Sequence, residues 1–86
     1  MSWTLRVAQR AAKALKRAPA KDRSRLVAAL GEMRQVPFAG GDIVRLQGES
    51  NTWRRRVGNY RIFFEVSAQT RTVDILDIAR RTSTTY

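Results

Sequence analysis

The stretch "TWRRRVGNYRIFFEV", residues 52–66, constrains the fold more tightly than any other part of the chain. Two runs rich in aromatic, β-branched and arginine residues flank Gly58-Asn59, a pair suited to a two-residue hairpin turn because glycine accepts the left-handed backbone such turns need. Side chains alternate across a strand, so the hairpin sorts these residues into two surfaces. Thr52, Arg54 and Arg56 share one face, and Trp53, Arg55 and Val57 the other. On the partner strand Tyr60, Ile62, Phe64 and Val66 form a continuous apolar face, opposite Arg61, Phe63 and Glu65. A slip of one residue would turn the apolar set to water. One side must therefore be covered, and the other carries arginine.

The N-terminal half supplies the cover. "SWTLRV" alternates as one short strand, with Trp3, Leu5 and Val7 on one side. Val7, Ala11, Ala14, Leu15 and Ala18 then fall on a helical stripe of about ten residues. Pro19 interrupts it, and a second helix from Ala20 turns Leu26, Val27, Leu30 and Met33 inward, with Lys21, Arg25 and Glu32 outward. The short connection makes the two helices antiparallel. "VPFAGGD", residues 36–42, is turn chemistry and closes the helical half. "IVRL" and the polar loop "QGESN" lead into three strands, Thr52 to Val57, Tyr60 to Val66 and Thr72 to Ala79. Val73 and Ile75, then Leu76 and Ile78, place apolar residues on both faces of the last strand, as a central or bulged strand does. The expected class is α+β: an N-terminal short strand and a helical hairpin packed on one face of a mostly antiparallel four-stranded sheet. Residues 1–86 read as a single domain, with Leu15, Leu26 and Leu30 lying over Ile62, Phe64 and Val66.

Charge narrows the function. Seventeen Lys plus Arg against seven Asp plus Glu give a net charge of +10, and fourteen of the cations are arginine. Such a surface attracts polyanions, and arginine suits bidentate phosphate contacts and stacking on bases. The chain has no cysteine and no histidine, which removes thiolate chemistry, sulfur-ligated metals and the commonest general base. With seven scattered acids, no metal site and no cofactor are expected. No apolar run approaches a membrane span, and the expected location is cytoplasmic. On the open sheet face, Arg61 beside Phe63 makes a platform for a phosphate and a base. A plain ion pair between Arg61 and Glu65, two turns of the pleat apart on the same face, explains the same residues. Trp3 and Trp53 are expected in the core, Arg55 is expected to snorkel to an edge, and Asp74 and Asp77 to pair with neighbouring arginines.

"TLRVAQRAAKALKRAP", "RLQG" after the Pro/Gly loop, "WRRRVGNYRIFFEV" and "VDILDIARR" before a terminal tyrosine, taken in this order, resemble the RelE/ParE superfamily of bacterial toxins from toxin–antitoxin systems. The resemblance to the RelE branch implies a type II toxin that acts as a ribosome-dependent endoribonuclease, cleaving messenger RNA with the RNA's own 2′-hydroxyl as nucleophile. It implies Arg61, Arg80 and Tyr86 as catalytic residues: Arg61 on the scissile phosphate, Arg80 at the end of the last strand, and Tyr86 stacking on or orienting the nucleotide. Arg54, Arg56, Phe63 and Arg81 are implied as substrate-binding residues. The implied partners are messenger RNA, the ribosome and an acidic cognate antitoxin in a hetero-oligomer. Such chemistry needs a proton acceptor, charge stabilisation and a proton donor. The arginines supply the second. All three lysines lie in the helical half, so Asp42, Glu49 and Glu65 are the candidates for the first. Two alternatives stand beside the nuclease: a ParE-like toxin that inhibits DNA gyrase, and a basic RNA-binding domain without catalysis.

Overall fold

The computed structural model describes residues 2–38, 40, 42–46 and 51–80. Its elements run β1 (Thr4–Val7), α1 (Gln9–Arg17), α2 (Ala20–Gln35), β2 (Ile43–Arg45), β3 (Thr52–Val57), β4 (Tyr60–Ser67) and β5 (Thr72–Arg80). One sheet orders the strands β1-β5-β4-β3-β2, with β1 parallel to β5 and every other pairing antiparallel. The helical hairpin thus carries the chain from one sheet edge to the other, and the remaining strands meander back to meet β1. The α+β arrangement matches the expectation, but the sheet has five strands rather than four. The additional one is Ile43–Arg45, which pairs with Arg55, Arg54 and Trp53 of β3.

The β3–β4 hairpin has the expected register, with Arg55 opposite Ile62, Trp53 opposite Phe64 and Arg56 opposite Arg61. Gly58 takes φ 58° at the first central position of its turn, where an L side chain is strained. Ile62 and Phe64 are wholly buried together with Leu26, Met33 and Val73, while Val66 and Leu15 are only partly buried at the margin of this core. The inward stripe of α2 is Leu26, Ala29, Leu30 and Met33. Val27, expected inward, is 52% exposed, because one residue turns the helix by about 100° and carries it off the stripe set by Leu26, Leu30 and Met33. Trp3 and Trp53 pack against the core from its edges; Phe38 meets Trp53 edge-on at 4.8 Å between ring centroids.

Helix ends find partners across the hairpin. The Arg23 guanidinium donates to the carbonyls of Leu15, Lys16 and Ala18 at 3.3, 3.4 and 2.9 Å, satisfying acceptors that the last turn of α1 leaves open. Asp22 sits in the first turn of α2, favourable beside the positive end of the helix dipole. The helix stops at Gln35, with Pro37 two residues on, where the ring cannot continue the hydrogen-bond ladder.

Arg55 corrects a second expectation. It does not reach to an edge: it is 6% exposed on the helix side of the sheet. Its Nη2 donates to Glu32 Oε1 at 2.6 Å and its Nη1 to the Ala29 carbonyl at 3.3 Å, so it ties β3 to the C-terminal half of α2. Gly40, at φ 96°, closes over the guanidinium, and a methyl group there would run into it. Expected outcomes follow for chemical denaturation. Arg55→Ala removes two charge-assisted bonds and destabilises the protein by about 2 kcal/mol. Gly40→Ala costs about 1–3 kcal/mol through backbone strain and the clash, and the two losses are less than additive because both act on one contact.

Candidate nucleic-acid interface on the open sheet face

Helices cover only one side of the sheet, so the other side is built by the alternate residues of each strand. Cross-strand partners share a face, and the register therefore reads it in rows. Arg6, Asp74, Glu65 and Thr52 form one row; Asp77, Phe63, Arg54 and Val44 form the next. Ala79, Arg61 and Arg56 form the last. The face is divided by charge. At one end the acids are occupied: Asp74 lies 3.4 Å from Arg6, and Glu65 Oε2 accepts from the Thr52 hydroxyl at 3.4 Å. Asp77 lies 3.9 Å from Arg10. The pairing of Asp74 and Asp77 with arginines follows the expectation.

At the other end arginine accumulates. Arg61 and Arg54 are half-buried, and neither makes an ion pair among the described residues. Arg56 is directly opposite Arg61, and its one ion-pair partner among the described residues is Asp42, at 3.9 Å with both side chains largely in solvent. The ion pair between Arg61 and Glu65 is not formed. Four residues of strand separate the two side chains by about 13 Å, and Glu65 is taken up by Thr52. Like charges directly opposite on neighbouring strands are destabilising. An anion laid across Arg54, Arg56 and Arg61 would relieve that repulsion, and Phe63, half-buried in the next row, offers a ring beside it.

Arg80 does not join this cluster. Its cross-strand partner is Tyr60, which is buried on the helix side. The cause is a bulge: Phe63 pairs with Asp77 but Phe64 with Ile75, leaving Leu76 extra on β5. Both Ile75 and Ile78 then point into the core, and the parity of the strand reverses before Arg80. Arg81 and Tyr86 lie outside the described residues, as does Glu49. Of the remaining candidate proton acceptors, Glu65 stands at the far end of the face and Asp42 stands beside Arg56, its carbonyl also accepting the Arg56 N–H at 3.0 Å. Among the described residues no three His, Cys, Asp or Glu side chains gather where they could hold a metal ion, and no helix is long and apolar enough to cross a membrane.

Fold and face together define a small basic α+β domain with arginines gathered at one end of the open face of its sheet. Residues 5–84 match the family described as "ParE toxin of type II toxin-antitoxin system, parDE", and the chain belongs to that family. It is a toxin of a type II toxin–antitoxin system within the RelE/ParE superfamily. No curated protein sequence matches it. Among solved structures it is similar to the archaeal RelE–RelB complex of Pyrococcus horikoshii OT3, at 22% identity and TM-score 0.84 over 98% of this chain and 100% of that one. The RelB–RelE antitoxin–toxin complex of Methanococcus jannaschii is similar at 29% identity and TM-score 0.74, over 88% and 90%. The isolated Escherichia coli RelE toxin is similar at 18% identity and TM-score 0.80, over 95% and 87%.

If the arginine end of the face holds RNA phosphates, affinity for a single-stranded oligoribonucleotide falls with salt by about 0.7 log units per log unit for each phosphate neutralised. Arg54→Ala, Arg56→Ala and Arg61→Ala each flatten the slope by about that amount. Arg6→Ala, on the same face but paired with Asp74, leaves it unchanged. A fluorescence titration over a salt series measures all four.

Proposed function

We propose that the protein inhibits translation as a ribosome-dependent messenger-RNA endoribonuclease, held in check by an acidic antitoxin. The observation that supports this most is the Arg56–Arg61 cross-strand pair with Arg54 beside it, a concentration of fixed positive charge met, among the described residues, by the single exposed carboxylate of Asp42. In this reading Arg61 holds the scissile phosphate, Arg54 and Arg56 hold its neighbours, and Phe63 stacks on a base. The 2′-hydroxyl attacks the phosphorus, its proton passing to a carboxylate or solvent, and the 5′-oxygen leaves with a proton. The arginines stabilise the charge that builds on the phosphoryl oxygens in between. Asp42 is the carboxylate that stands at the cluster. Arg80, from the other side of β5, acts at the end of the sheet, and Arg81 and Tyr86 complete the site from the C-terminal end. The antitoxin covers the arginine face; the P. horikoshii and M. jannaschii relatives are complexes with RelB antitoxins.

A second reading, inhibition of DNA gyrase, is favoured by the ParE name of the matching family and by the separation of Arg80 from Arg61. Purified protein distinguishes the two. On ribosome-bound messenger RNA, Arg61→Ala lowers cleavage about a hundredfold, the loss expected of one donor that strengthens as charge develops. Arg61→Lys fails nearly as badly, because an ammonium cannot reproduce the bidentate fork. Arg80→Ala costs less, about tenfold, because it stands off the face. Tyr86→Phe retains activity if the ring stacks and loses it if the hydroxyl donates the proton. No cleavage by the wild type, together with inhibition of supercoiling by gyrase, replaces the nuclease with the second reading.

A further inference from the structure

Asp77 stands where two surfaces meet. It is the cross-strand neighbour of Phe63, in the row of the open face that also holds Arg54. It also lines an open groove of about 410 Å³ beside α1, together with Arg10, Lys13, Ala14 and Arg17 of that helix. A single strand of RNA laid over Arg54 and Phe63 therefore runs on to Asp77 and meets the groove.

At that point the groove presents acceptors beside a donor. Asp77 Oδ1 accepts the Ile78 backbone N–H at 2.8 Å, which anchors the carboxylate, and Oδ2 lies 3.9 Å from Arg10 Nη1. That separation is too long for a hydrogen bond, so both groups keep capacity for a ligand. A carboxylate accepts at about four lone-pair sites and donates nothing, while a guanidinium only donates. Ala14, a methyl among longer side chains, leaves room for a flat ring. Arg10, Lys13 and Arg17 fall on one stripe of α1, and Lys13 and Arg17 make no ion pair among the described residues. Arg17 stands about 10 Å along the axis from Arg10, a span like that of a nucleotide from base edge to phosphate.

Unstacked bases of single-stranded RNA are read on their Watson–Crick edges. Guanine presents two adjacent donors, N2–H and N1–H, followed by the acceptor O6. Adenine and cytosine present one exocyclic amine beside ring acceptors, and uracil one N–H between two carbonyls. Asp77 is anchored and its side chain is 32% exposed, whereas that of Arg10 is 79% exposed and loses rotamer freedom on binding. Guanine is the base that places two bonds on the anchored carboxylate and one on the mobile arginine.

We propose that the groove between α1 and β5 is a pocket for a guanine of single-stranded RNA, with N1–H and N2–H on Asp77, O6 on Arg10 and the adjacent phosphate on Lys13 and Arg17. The inference rests on the reading of the chain as an RNA-binding toxin, and gives that reading a base preference. Asp77 and Arg10 specify the base, while Lys13 and Arg17 position the backbone.

Fluorescence anisotropy of the full chain with four labelled RNA pentamers, uridines with G, A, C or U at the centre, tests this at one salt concentration. Wild type binds the G pentamer about tenfold more tightly than the U pentamer, with A and C between. Asp77→Asn keeps an oxygen for the Ile78 N–H but offers one acceptor and one donor, so the A pentamer overtakes the G pentamer. Arg10→Ala weakens the G pentamer about threefold to tenfold. The Lys13→Ala/Arg17→Ala variant weakens all four alike, and circular dichroism confirms that each variant is folded. Equal affinity for the four pentamers overturns the proposal, as does an Asp77→Asn variant that keeps the guanine preference. Guanosine monophosphate binding as tightly as the G pentamer assigns the pocket to a free nucleotide and overturns the RNA assignment. A Lys13→Ala/Arg17→Ala variant that loses affinity for polyglutamate but for none of the pentamers assigns the stripe to a protein and overturns it too. Absence of base preference alongside Arg61-dependent cleavage discards the pocket and leaves the nuclease reading intact.

Discussion

Arg55 projects from a strand into the side of the sheet that the helices cover, where an unpaired guanidinium would be costly to bury. Glu32 and the Ala29 carbonyl, one turn apart on α2, meet it there, and Gly40 closes against it. Few direct contacts otherwise join α2 to β3, so this fork fixes where the helix ends relative to the hairpin. Because α2 is placed, Leu26, Leu30 and Met33 come down on Ile62 and Phe64. Because the hairpin is placed, its other face is free to carry charge. Specificity of placement is a documented use of a buried ionic group, more so than net stability, and Glu32 stays half in solvent, which lightens the desolvation of the pair.

The three arginines of β3 thus have different fates set by parity alone. Arg55 is structural and turned inward, while Arg54 and Arg56 stand on the open face with Arg61. Asp74 and Glu65 lie toward the other end of that face, engaged by Arg6 and Thr52, and Asp77 is engaged by Arg10 of α1. Separation of this kind produces a directional field, which focuses an approaching polyanion on one end of the sheet. The electrostatic design resides in where the fold gathers its charges, more than in the net charge.

Much of this was legible in the sequence. A strict two-residue period on both sides of Gly58-Asn59 fixed the faces of β3 and β4, since any other register exposes Phe64. The helical hairpin followed from the stripe and Pro19. What was missed depends on contacts between distant segments or on small counts. Ile43–Arg45 is too short to show a period. Val27 is as apolar as Leu26, and only geometry decides which of the two faces the sheet. Arg55 had no visible carboxylate because Glu32 lies on another element. The most consequential case is the bulge at Leu76. Apolar residues on both faces of β5 signalled it, but its effect on Arg80 does not follow from composition. One extra residue reverses everything after it, and Arg80 leaves the face of Arg61.

The adjacency of the first and last strands has a consequence for synthesis. Thr4 pairs with Thr72, and β5 lies between β1 and β4. Contacts so far apart in sequence form late, because a long loop must close before they repay its entropy. A growing chain therefore holds both helices and the whole arginine-bearing hairpin before the strand that lies between β1 and β4 exists. At about 5–20 residues per second, β5 follows β4 within seconds, and until then Phe64 and Ile62 lack the strand that seals them. Until the last strand is inserted, the Arg55 fork and the contacts of α2 with the hairpin are what hold the two halves together, and the core stays open along β4.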